Sequence, residues 1–193
     1  MNIYREKLLN AVLYFAKNTR HVNLTKISKL LYYFDFDHFK MTGFPSIGLD
    51  YYSFDRGPVP RDFWLEIKDG EIPEDFIGKL ALIQKTDDFN LNYKEIEIRA
   101  ITEADLSVFT PREIGLLEKS AYIYKEARGK DMTEVSHLPE QPWAITVSSS
   151  GKNKIIDYIL AIDDKSEISS DDAIESLKEH FDVVRNFNLK PTK

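Results

Sequence analysis

The 193-residue sequence contains no cysteine, which excludes disulfides, thiolate zinc ligands and a cysteine nucleophile together. Histidine is scarce: His21, His38, His137 and His180 lie far apart, outside any His-Glu-x-x-His or comparable ligand spacing. Neither a metal site nor a cofactor is expected. Also missing are a Gly-x-Ser-x-Gly elbow and a phosphate-cradling glycine loop, the usual marks of acyl-transfer and nucleotide-triphosphate enzymes. The expectation is a protein that is not an enzyme. Apolar runs stop short of the ~18 uncharged residues a membrane span needs, and residues 2–7 lack the apolar core of a secretion signal. A cytoplasmic location without membrane contact is expected. The net charge of −6 disfavours nucleic acid as a partner, unless Lys26, Lys29, Lys40 and Arg56 merge into a local basic patch.

Aromatic residues, in contrast, are plentiful, with 10 Tyr, 12 Phe and 2 Trp. Such rings fill a core or anchor an interface. The length suits one domain around one core. Leu8, Leu9, Val12 and Phe15 predict a first helix over Ile3 to about Asn18. A second helix follows the cap Asn23, with Ile27, Leu30, Leu31, Phe34, His38 and Met41 on one stripe and Gly43 at its end. Tyr32, Phe36 and Phe39 form a second stripe, so this helix is either central in the fold or lends one side to a partner. Asp50 to Phe54 reads as a short strand, Gly57-Pro58-Val59-Pro60 as a proline-fixed turn, and Arg61 to Lys68 as a short helix. Leu91, Tyr93, Ile96, Ile98 and Ile101 alternate as strands of a small sheet do.

Thr110-Pro111-Arg112-Glu113 is a capping box, and the helix it opens is expected to run to Arg128 and stop at Gly129. Asp131 to Ser136 allows one more turn, and Pro139 with Pro142 predicts an extended stretch. Ser148 to Gly151 looks like a linker, and Ile155 to Ile162 is ambiguous between strand and helix. Ser169 or Ser170 caps a last helix with Ile174, Leu177, Phe181 and Val184 on one face. The fold class expected is α+β, mostly helical: a compact helical domain with a small antiparallel sheet over residues 1–147. Residues 148–193, acidic through Asp163, Asp164 and the carboxylates after them, form an extension packed on the same domain.

Asp35 and Asp37 read as capping or ion-pairing groups rather than a catalytic pair, because positions two apart on a helix point in different directions. Lys29 is expected to be exposed, as helix lysines usually are. The His137 ring is expected to pin its turn through the backbone, and Trp143 reads equally as a core plug or an interface anchor.

Three islands carry a further signal: Lys29-Leu30-Leu31-Tyr32-Tyr33, then Gly57-Pro58-Val59, then His137 with Pro142-Trp143, with Gly43 closing the helix. In order and spacing they resemble the Panacea domain, the SocA-like antitoxin family also described as phage-associated proteins, over about residues 5 to 145. The chain departs at Ser53-Phe54-Asp55-Arg56, where the family usually has Ala-Trp and then a basic and an aromatic residue. The resemblance implies an antitoxin that neutralises a cognate protein toxin by direct binding. It also raises a protease as a further partner, with the domain acting as an adaptor, and leaves a homodimer open. The candidate partner-binding residues are Lys29, Leu30, Tyr32, Tyr33, Phe36, Phe54, Arg56, Gly57, Pro58, Val59, His137, Pro142 and Trp143. The competing reading is a small-ligand protein or an enzyme with one pocket near Lys29, Tyr33 and His137.

Overall fold

The structure is a computed structural model that describes residues 2–87 and 90–187, without the side chains of residues 86, 87 and 90–94. The described residues form helices α1 (Ile3–Asn18) and α2 (Leu24–Thr42), strands β1 (Tyr51–Phe54) and β2 (Gly57–Pro60), and helix α3 (Arg61–Ile67). Strands β3 (Leu80–Asp87) and β4 (Asn90–Ala100) follow, then α4 (Pro111–Ile123), α5 (Gly129–Ser136), α6 (Pro142–Ser150) and α7 (Ser170–Asn186). The class is α+β and mostly helical, with two antiparallel two-stranded sheets instead of one. β3 has no counterpart in the sequence reading, which placed the sheet from Leu91 onward. The Leu91 and Tyr93 side chains behind that reading lie outside the described residues.

α2 is the axis. The Asn23 side chain accepts the Lys26 N–H at 2.8 Å, and Gly43 ends the helix in the left-handed region at φ 78°. Ile27, Leu30, Leu31 and Phe34 are fully buried, and so is Phe39 on the second aromatic stripe. An apolar side chain removed from water this completely contributes ~2 kcal/mol. The helix therefore packs on all sides, against α1, α4, α5, β2, β4 and the 3₁₀ turn Tyr158–Ala161. Of the two settings its stripes allowed, central in the fold is the one observed.

Several expectations need correction. Gly57–Pro60 is not a turn but strand β2, whose Val59 faces Tyr52 of β1; the fixed φ of proline lies in the extended range, and a two-stranded ribbon tolerates its missing N–H. α4 ends at Ile123, not Arg128, because the carbonyls of Tyr124, Lys125 and Ala127 turn away from the helix to accept the Lys26 ammonium. Gly129 then opens α5 instead of closing α4. Pro142 sits in the first turn of α6, where its missing N–H costs nothing, so the expected extended stretch is helical. The same helix absorbs Ser148–Ser150, the expected linker, and runs across position 147. In α7 the buried positions are Ala173 and Val184, while Ile174 and Phe181 are exposed. The helix is rotated so that His180 stacks on Phe44 at 5.3 Å and meets the edge of Tyr4 at 5.8 Å.

Candidate functional site

The three sequence islands meet around Lys29. Its side chain is fully buried, not exposed, and its ammonium donates to the Pro58 carbonyl at 2.9 Å. Burial lowers its pKa to about 7. Gly57 approaches from β2 with φ 95°, and a Cβ there would lie 2.8 Å from Lys29 Cε and 2.7 Å from Ser136 Oγ. Only glycine fits that approach and that backbone. α2, β2 and the end of α5 therefore converge on one point.

The third island closes the junction from the side. His137 stacks face to face on Trp143 at 3.7 Å, and the indole Nε1–H donates to the Phe54 carbonyl at 3.0 Å. Trp143, 8% exposed, is thus a core plug that ties α6 to β1. The His137 ring does not bond the backbone as expected: its Nε2 is buried without a hydrogen-bond partner among the described residues, and stacking fixes it instead. Burial, with Lys29 and Lys152 nearby, lowers its pKa and favours the neutral ring.

The remaining candidates extend the same packing. Tyr33 donates to the Met132 carbonyl at 3.3 Å and stacks on Tyr124 at 5.1 Å, while Tyr32 lies 4.2 Å from Phe36. Leu30 is fully buried, Pro142 and Val59 are buried, and the Arg56 carbonyl accepts the Thr133 hydroxyl at 3.1 Å. Phe54, half-buried, meets the edge of Trp64 at 5.9 Å.

The sequence marks Asp35 only as a capping or ion-pairing group, yet its carboxylate gathers several buried donors. Asp35 is fully buried. One carboxylate oxygen accepts Ile47 N–H at 2.7 Å, and the other accepts Gly48 N–H at 3.2 Å, Leu49 N–H at 3.4 Å and the Tyr51 hydroxyl at 3.0 Å; the Tyr158 hydroxyl, 3.3 Å away, donates to the Leu49 carbonyl at 2.7 Å. Burial raises the Asp35 pKa against the pull of its donors. The hidden signal was the register: one turn after Leu31, Asp35 continues the buried side of α2, and Gly48 marks a tight loop nearby. Glu113 was found only as part of a capping box; it also accepts Lys7 at 2.6 Å and Ser46 at 2.5 Å. Its burial opposes ionisation, but these donors and the Thr110 N–H bring its pKa below the usual carboxylate value.

Two adjoining cavities open at the first turn of α2. One, of about 370 Å³, has Leu24, Lys29, Phe54, Val59, Trp64 and Ile96 in its walls; the other, of about 790 Å³, takes in Arg56, Arg128 and Lys130. Tyr33 lines a third cavity with Lys119 and Ile145 instead. Lys29 and Tyr33 thus line different cavities, and His137 lines none of these three. Nor do the four basic residues make a patch: Lys26 and Lys29 are buried, and Lys40 pairs with Asp163 at 2.7 Å. Among the described residues no group of histidine and carboxylate side chains is arranged to hold a metal ion, and no helix is long and apolar enough to cross a membrane.

A family model described as antitoxin SocA-like, Panacea domain matches residues 27–144. The chain belongs to this family. The matched Panacea segment begins on α2, takes in Asp35, Gly57 and the Trp143 plug, and stops within α6; α1, the 3₁₀ turn at Tyr158 and α7 lie outside it. No curated protein and no solved structure matches the chain.

Proposed function

We propose that the chain neutralises a cognate protein toxin by direct, stoichiometric binding. Its membership of the SocA-like antitoxin family supports this, and the observation that carries it is the role of the motif residues. Lys29, Gly57 and Trp143 face inward, so what defines the family in this chain is a rigid scaffold. A binding module needs that rigidity, because a preorganised surface loses less entropy on association. The small-ligand reading is less well supported, since Lys29 and Tyr33 line different cavities.

Co-expression with the protein encoded by the adjacent open reading frame tests this. Relief of growth arrest together with co-purification of the two proteins is the expected outcome; neither relief nor a complex refutes it. Two modes of neutralisation remain distinct in the same cells. Plain inhibition leaves the toxin's half-life unchanged, whereas delivery to a protease shortens it.

A further inference from the structure

The two cavities at the start of α2 form one groove, meeting at Asn23, Thr25, Arg56 and Glu95. Its two ends differ in chemistry. At one end Leu24, Phe54, Trp64 and Ile96 supply apolar wall. At the other, Arg128 and Lys130 are exposed at the start of α5 and make no ion pair among the described residues. The carboxylates at that end are already engaged: Glu95 accepts the Asn23 side chain, and Glu97 pairs with Lys85 and Arg99. In a chain of net charge −6, this end sets Arg56, Lys85, Arg128 and Lys130 against Glu95 and Glu97, so its lining is cationic on balance.

The groove also has an open backbone edge. Ile98 N–H points away from β3 and donates to the Val22 carbonyl at 3.0 Å, and a single bridge joins Asn23 to Glu97. By the two-residue alternation of a strand, Ile96 N–H faces the same side, beyond the point where Val22 and Asn23 stop covering β4. An added strand can continue there.

Resting on the antitoxin reading, we infer that this groove docks an extended segment of the partner protein, one carrying a carboxylate and, a few residues away, a large apolar side chain. The carboxylate meets Arg128 and Lys130, the apolar side chain enters between Leu24, Phe54 and Trp64, and the backbone pairs with the β4 edge. A nucleic acid fits less well, because its repeating phosphates would also run along the apolar wall of Leu24, Phe54, Trp64 and Ile96. Arg56 lines both cavities and so lies where the two ends of the groove meet.

The test uses fluorescein-labelled ten-residue peptides on a Thr/Val background, carrying Leu with Asp, Leu with Lys, or two Ser at matched positions. Anisotropy with the full chain at low salt should show the Leu/Asp peptide binding at least tenfold tighter than the other two. The Arg128→Glu, Lys130→Glu double variant should abolish that preference, and Trp64→Ala should weaken the Leu/Asp peptide, whereas Tyr122→Ala on a remote exposed site should not. Equal affinity for all three peptides, a preference that survives the charge reversal, or tighter binding of a single-stranded DNA 20-mer overturns the inference. The antitoxin reading is judged separately. If wild type and the double variant both relieve growth arrest, the groove is wrong and the antitoxin reading stands; if wild type gives no relief, that reading falls while the peptides still judge the groove.

Discussion

The junction around Lys29 and the groove beside it share a helix and differ in almost every physical respect. At the junction the polar groups are buried and held by backbone: Lys29 by Pro58, Trp143 by Phe54, Asp35 by residues 47–49. In the groove Arg128 and Lys130 stand in solvent and make no ion pair among the described residues. Substitution at the first leaves an unsatisfied buried group or a clash; at the second it changes only the field a partner meets. Lys29, Gly57 and Trp143 thus hold the scaffold, while Arg128 and Lys130 face solvent.

The sharpest way to break this contrast is Asp35→Ala, which orphans three N–H groups and the Tyr51 hydroxyl. A loss of about 4 kcal/mol is expected, read from urea unfolding. A variant within 1 kcal/mol of wild type would show that the buried carboxylate does not organise the loop. Gly57→Ala comes next, at about 3 kcal/mol, because both its φ and its Cβ are unfavourable. Thermal melts should show the drop without any change in partner chemistry.

Lys29→Met probes the junction through pH. The folded chain releases the Lys29 proton at about 7, against 10.5 for an ordinary lysine. Between those values the unfolded state binds more protons, so wild-type stability rises with pH across that window and is lowest below about 7. The variant should flatten this rise; an unchanged slope in chemical denaturation from pH 6 to 10 contradicts it. The smallest effect belongs to the groove. Arg128→Glu with Lys130→Glu should shift stability by no more than ~0.5 kcal/mol, and a larger loss would mean that the groove is scaffold too.

Much of the fold was legible in the sequence, because helix caps and apolar spacing are local. Asn23 and Gly43 bound α2, Thr110 opens α4, and Ser169 caps α7, all at or beside the positions that their chemistry marks. What was not legible depended on distant partners. The end of α4 is set by Lys26, about a hundred residues away. β3 carries weak alternation by itself and becomes a strand only against β4. The junction residues could be named from their resemblance to a family, but their inward orientation could not, since Lys29 looks like any helix lysine until Pro58 is placed beside it. The groove was illegible for the same reason: its walls come from five separate stretches of chain.

The Tyr158 hydroxyl donates to the Leu49 carbonyl at 2.7 Å and lies 3.3 Å from the Asp35 carboxylate, 123 residues away in the chain. During synthesis residues 35 and 49 leave the ribosome long before residue 158, so the Leu49 carbonyl gains this donor late. A fragment cut at residue 144, where the family match ends, would lack that donor.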